Sequence, residues 1–144
     1  MTKEFIPYEQ ALALKELEFN EPCFANYTVI LEDGIDWFTI PEQGITDKTS
    51  FGSSKNYNSK SFEEEGTISA PTFSQAFRWF REKNYDVAFR KMDYGNDSVF
   101  TGYYYTIYKG MDMIDLHGAD KRSKTYEEAE LACLIKLIEI VKQK

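Results

Sequence analysis

The chain has 144 residues, which suits one domain with a full hydrophobic core, and 42% of them are hydrophobic and 16% aromatic. This composition excludes a disordered chain, because disordered segments lack the aromatic surface that offsets the entropy lost on ordering. The net charge of -7 is unevenly distributed: residues 1–70 hold 5 Lys and Arg against 13 Asp and Glu, whereas residues 71–144 hold 12 against 11. The acidic first half favours solubility or basic partners over nucleic acid.

The first forty residues predict one helix and a β-hairpin. A helix is expected at about 7–19, where Pro7 suits the first turn and apolar side chains follow at helical spacing. From Cys23 to Leu31 alternate positions are apolar, which is typical of a strand with one buried face. The pair Asp33-Gly34 favours a tight turn into a second strand at about 35–40.

Residues 41–70 predict a long polar loop, because they are rich in Ser, Asn and Gly. Loops longer than ~15 residues are uncommon in compact domains. The segment is therefore functional, or disordered, or contains a short strand, for which Thr67-Ile68 is the candidate.

Two capping boxes mark helix starts in the second half, Thr72 with Gln75 and Thr125 with Glu128. In such a box the Thr hydroxyl accepts from the amide three residues on, and the Gln or Glu side chain reaches back to the cap. They predict helices at about 72–83 and 126–142. Between them, period-two patterns predict three antiparallel strands at about 86–92, 99–108 and 111–116.

These elements predict a single α+β domain over residues 1–144. The expected order is α-β-β-loop-α-β-β-β-α, with an antiparallel sheet of about five strands. Each helix has one apolar stripe to bury, so all three helices are expected on one face of the sheet, which leaves the other face partly open.

The sequence predicts a cytoplasmic protein without membrane contact. The first residues lack the apolar run of a secretory signal, and no stretch of about 18 apolar residues follows. Cys23 and Cys133 lie far apart in different predicted elements, so both are expected to be reduced and buried.

Three aromatic residues are candidates for binding. Tyr103 and Tyr105 alternate with Tyr104 along a predicted strand and therefore share a face, where rings could stack bases or anchor a protein interface. Trp79 lies at the edge of the apolar stripe of the second helix and could line a groove. The simpler alternative for all three is packing in the core.

The basic residues Lys121, Arg122 and Lys124 precede the last helix and are candidates for phosphate contact. With the order helix, three strands, helix over residues 71–144, they make this half similar to a double-stranded-RNA-binding domain. That family carries lysines in the first turn of the last helix, whereas this chain has Glu127 and Glu128 there. Acidic groups at that place oppose phosphate binding.

A second resemblance rests on three segments, which cover about a quarter of the chain. They are IPYEQA at 6–11, PTFSQAFRWFREK at 71–83 and YEEAELACLIKLIEIVK at 126–142. In these segments the chain resembles a family of small uncharacterised proteins of bacterial and phage genomes. The resemblance implies a standalone intracellular protein of phage association without an established activity, and no functional residues can be transferred from it.

No catalytic or metal-binding residues are predicted, and no cofactor is expected, because no spacing of nucleophiles, bases, metal ligands or phosphate-binding glycines fits a known site. The leading hypothesis is a non-enzymatic interaction module. It would bind another protein, or a second copy of itself, through an open aromatic sheet face or the 41–70 loop. The alternative is nucleic-acid binding through the basic residues before the last helix.

Overall fold

The computed structural model describes residues 4–30, 34–39, 58, 65–92, 102–116 and 123–143. Within them it is an α+β protein with antiparallel strands. The elements in chain order are α1 (Tyr8–Glu16), β1 (Ala25–Ile30), β2 (Gly34–Thr39), β3 (Glu65–Ala70), α2 (Phe73–Glu82), β4 (Tyr85–Met92), β5 (Gly102–Lys109), β6 (Asp112–Leu116) and α3 (Tyr126–Lys142). Each predicted helix and strand is present, with ends shifted by a few residues.

The strands form two three-stranded sheets, with orders β2-β1-β3 and β4-β5-β6. The prediction of one sheet of about five strands with all helices on one face is therefore wrong. The reason is β3, which lies inside the segment predicted as a loop and pairs with β1 over all six of its residues. It supplies the third strand of the first sheet, and among the described strands none from the second half joins that sheet.

The chain divides into two compact units, residues 1–74 and 75–144. In the first unit α1 packs on β3, and Ile6, Leu14 and Ile68 are fully buried. The Tyr27 hydroxyl donates to the Ile6 carbonyl at 2.6 Å, and the Tyr27 ring lies edge-on to Tyr8 at 5.6 Å. A buried strand face and a helix stripe thus form the core of this unit.

The helix α1 ends in a Schellman motif built without glycine. Glu18 takes the left-handed conformation with φ 68°, the Phe19 amide donates to the Leu14 carbonyl, and the Glu18 amide donates to Lys15. These two bonds satisfy carbonyls that a helix end otherwise leaves without partners. Phe19 is thereby turned into the core, where it is 1% exposed.

The outer edge of β3 is occupied by other parts of the chain. The Asn58 side-chain Oδ1 accepts from the Ser69 amide at 3.0 Å, and its Nδ2 donates to the Phe19 carbonyl at 2.8 Å. Just past the strand, the Ile6 amide donates to the Pro71 carbonyl at 3.0 Å. The Ser69 amide and the Pro71 carbonyl at this edge are therefore satisfied within the unit.

In the second unit α3 packs on β5 and β4. The ring of Phe89 on β4 lies 5.7 Å from Phe77 of α2 and 5.2 Å from Tyr126 of α3, so aromatic contacts join both helices to the same sheet face. Leu134, Leu137 and Ile107 are fully buried in this core.

The predicted cap of α3 is present with one difference. The Thr125 hydroxyl accepts from the Glu128 amide at 3.1 Å, as a capping box requires. The Glu128 carboxylate, however, accepts from the amide of Lys124 at 3.0 Å, one residue before the cap. The motif still satisfies two backbone amides at the helix start.

The turn between β5 and β6 is tied to the end of α2. Gly110 adopts φ 61°, and its amide donates to the Asn84 carbonyl at 3.0 Å. The ammonium of Lys109 donates to the Lys83 carbonyl at 2.7 Å and lies 3.9 Å from the ring centroid of Tyr85. These contacts fix the direction in which β6 leaves the turn.

Candidate functional site

The structure places Tyr103 and Tyr105 under α3. Their shared face is confirmed by the register, but Tyr105 is only 5% exposed, and the half-buried Tyr103 ring lies 6.0 Å from Tyr126 of α3. A ring enclosed in this way cannot stack a base. At Tyr105 this face therefore offers no exposed ring to a binding partner.

Trp79 is buried in the described structure, where it is 7% exposed. Its ring packs edge-on against Phe80 at 5.0 Å, and the Lys83 ammonium lies 4.4 Å from its centroid. The residue therefore packs in the core and forms a cation–π pair at its rim. It does not line an exposed groove.

Of the three basic candidates, Lys121 and Arg122 lie outside the described residues. Lys124 is exposed before α3, and its backbone amide already donates to Glu128. Glu127 and Glu128 occupy the first turn of the helix, so carboxylates stand where a phosphate would approach the helix start. Nucleic-acid binding stays a prediction from the sequence.

A small group of polar side chains lies between α3 and the second sheet: Tyr105 on β5, Asp115 on β6 and Cys133 on α3. Burial raises the pKa of the Tyr105 hydroxyl, and the charge of Asp115, which also shares a hydrogen bond with it, raises this pKa further. Burial likewise raises the pKa of the Cys133 thiol, followed by the charges of Asp115 and Glu130. Both groups thus stay protonated to higher pH than usual, and the pairing of Asp115 with Ile107 places its side chain on the face that α3 covers.

The exposed apolar side chains of the second unit concentrate at β6 and the turn before it. Among the described residues of this unit, six large apolar side chains are exposed: Tyr126 and Ile135 lie on α3, and the other four are Met111 (97% exposed), Met113 (58%), Leu116 (53%) and Ile114 (42%). β6 lies at the edge of its sheet, paired with β5 on one side. Consecutive apolar residues on an edge strand are unusual, because such an edge offers both free backbone groups and apolar contact to another strand.

A bulge in β6 places Met113 and Leu116 on the same face, although they are three residues apart. Asp115 pairs with Ile107, whereas Met113 pairs with the next residue of β5, Tyr108, so one residue of β6 is extra. Leu116 pairs with Thr106. Because neighbours on β5 point to opposite faces, Met113 and Leu116 lie on the face away from α3 and Asp115 lies on the covered face.

The other edges with described side chains differ from β6. The edge of β3 is occupied by Asn58. The outer strand of the second sheet, β4, exposes the charged residues Asp86, Arg90 and Lys91, and the Asp86 carboxylate accepts from the Val87 amide at 2.8 Å. Charges of this kind are a common protection against edge pairing. β6 carries neither lysine nor proline, and one of its two carboxylates is turned inward.

The sequence carries a signal for this edge. Residues 111–116 are a short strand with apolar residues at both even and odd positions, and the strand closes a run of three. The last strand of a meander has a partner on one side only, so the apolar residues of this strand are expected at a sheet edge.

Within the described ranges, no three His, Cys, Asp or Glu side chains come together as a metal site. No helix in this part of the chain combines the length and apolar character needed to cross a membrane. The fold and edge thus define a small α+β protein with an exposed apolar strand. Comparison with protein-family models, curated proteins and solved structures finds no match.

Proposed function

We propose that this protein is a small non-enzymatic protein-interaction module and that its binding element is the edge strand β6. The observation that carries the proposal is the exposure of Met111, Met113, Ile114 and Leu116 together on one short edge. Contiguous exposed apolar surface on a folded protein marks interaction sites. The partner is another protein or a second copy of the chain.

The geometry of the edge supports binding by strand addition. A strand laid beside β6 would gain backbone hydrogen bonds, and its side chains would meet Met113 and Leu116 on one face. Affinity would then come from the backbone and selectivity from the apolar side chains.

We place this module in the cytoplasm and associate it with bacterial or phage genomes. The two cysteines are free and buried, and free thiols are typical of a reducing compartment. The phage association rests on the sequence resemblance alone.

The test compares the wild-type chain with Ile114→Lys and Ile135→Lys. Ile135 lies on α3 and is 45% exposed, close to the 42% of Ile114, so it is a matched control for loss of an exposed isoleucine. Light scattering after size exclusion measures self-association, and quantitative affinity capture followed by binding of the purified partner measures association with other proteins. Circular dichroism checks that each variant is folded.

We expect Ile114→Lys to lose an association that the wild type and Ile135→Lys retain, because a lysine on an edge opposes strand pairing. A wild-type chain that is a monomer, and whose every purified partner binds Ile114→Lys equally well, would contradict the proposal.

A further inference from the structure

The inference concerns the occupant of the β6 edge and rests on the proposed function. We propose that β6 pairs antiparallel with β6 of a second copy of this chain, around a two-fold axis that passes between Ile114 and Asp115. The two copies would then form one continuous six-stranded sheet from their second units.

The charge of the second unit supports a copy of itself as the partner. Residues 75–144 hold 12 Lys and Arg against 11 Asp and Glu, so two such units meet with little net repulsion. A strongly basic partner would find its complement in the acidic first half of the sequence, where 13 Asp and Glu face 5 Lys and Arg. The β6 edge itself matches a near-neutral apolar strand.

The side-chain pattern of β6 selects the register. In an antiparallel pair, residues directly opposite each other point to the same face. With the axis between Ile114 and Asp115, Met113 of each copy lies opposite Leu116 of the other, and both residues lie on the face away from α3. Two apolar cross-strand pairs result, and no two carboxylates of β6 lie directly opposite each other.

The two neighbouring registers fail on the same criteria. An axis through Asp115 would place the Asp115 carboxylates of the two copies directly opposite each other, and like charges directly opposite each other are destabilising. An axis through Ile114 would place Met113 opposite Asp115, although the bulge directs these two side chains to different faces. The bulge therefore favours the register with its axis between Ile114 and Asp115 over the two registers next to it.

The register is tested by disulfide formation between single-cysteine variants. Met113→Cys and Leu116→Cys chains are mixed and oxidised under mild conditions, and each variant is also oxidised alone. In the proposed register the two cysteines are directly opposite, at a Cα separation of about 4.5–5.5 Å that a disulfide spans. Identical cysteines would stand three residues apart along the strands, at roughly 11 Å, which a disulfide does not span. The native Cys23 and Cys133 are buried and do not compete.

We expect disulfide-linked dimers in the mixture, enriched about tenfold over either cysteine variant alone. We also expect the wild-type chain to form a dimer. Its dissociation constant should rise about tenfold in Ile114→Lys and be unchanged in Ile135→Lys. Equal linkage of each variant with itself would overturn the register. A wild-type monomer would overturn self-pairing. If that monomer still bound a purified protein in an Ile114-dependent manner, the proposed function would stand and only this inference would fail.

Discussion

Asn58 connects two parts of the first unit through a single side chain. Its amide bonds the Ser69 amide on the edge of β3 and the Phe19 carbonyl beyond the end of α1. Both partners belong to buried residues, so neither backbone group has ready access to water. One asparagine thus satisfies a backbone donor on β3 and a backbone acceptor beyond α1.

We expect Asn58→Ala to lower the free energy of unfolding by about 1–3 kcal/mol, because the Ser69 amide and the Phe19 carbonyl would be left without these partners. Asn58→Asp replaces the Nδ2 donor by a carboxylate oxygen that faces the Phe19 carbonyl, so two acceptors repel each other and the loss should be at least as large. Urea unfolding followed by circular dichroism measures both variants. Equal stability of Asn58→Ala and the wild type would show that water replaces the side chain.

Among the elements, the turn before β6 depends on one glycine. Gly110 has φ 61°, and a Cβ at this position would lie 3.2 Å from the Asn84 side-chain Nδ2. Asn84 itself is left-handed, with φ 69°, at the end of α2. Two residues with left-handed backbone conformations, Asn84 and Gly110, therefore contact each other at this turn.

Gly110→Ala should lower the free energy of unfolding by about 1–2 kcal/mol, because an L-residue is strained in this conformation. The double variant Gly110→Ala with Asn84→Gly removes the atom that the new Cβ meets and should lose less than the single variants would by addition. Thermal unfolding of the set provides the measurement. Strict additivity would show that backbone strain alone causes the loss.

An element can be predicted from the sequence when the residues that determine it are close together along the chain. The start of α3 is set by Thr125 and Glu128, three residues apart, and the structure has it there. β3 could be suggested only weakly, because Ile68 is its one large apolar residue and its strand character depends on pairing with β1 some forty residues earlier. Pairing over such a distance leaves no local pattern.

The same limit applies to the candidate site. Alternation correctly places Tyr103 and Tyr105 on one face, yet it cannot say which face α3 covers, because Tyr104 and Tyr108 make the other face equally aromatic. Burial of Tyr105 is decided by the docking of α3, a tertiary contact. The apolar edge of β6 was within reach of the sequence, since it follows from strand order.

For the whole molecule, the buried thiols predict how stability responds to pH. Burial raises the pKa of Cys23 to about 12 from its ordinary 9.0, and it also raises that of Cys133. The unfolded chain releases these protons near pH 9, whereas the folded chain keeps them. Their contribution is therefore complete below pH 9 and is lost as the pH rises towards the folded pKa.

We expect the free energy of unfolding to fall by about 1.4 kcal/mol per pH unit for each such thiol above pH 9. Urea unfolding at pH 7, 9, 10 and 11 measures the slope, and Cys23→Ala should reduce it by the share of one group. An unchanged slope in Cys23→Ala would show that this thiol ionises equally in the folded and unfolded chains.

The bond from the Gly110 amide to the Asn84 carbonyl has a consequence for measurements of local opening. This proton belongs to a turn of the sheet, but its acceptor lies at the end of α2, so it exchanges with solvent only when the helix end and the turn separate. Glycine amide signals are well resolved in nitrogen-correlated spectra. Hydrogen exchange at this single proton can therefore follow the separation of the turn from the chain that leaves α2.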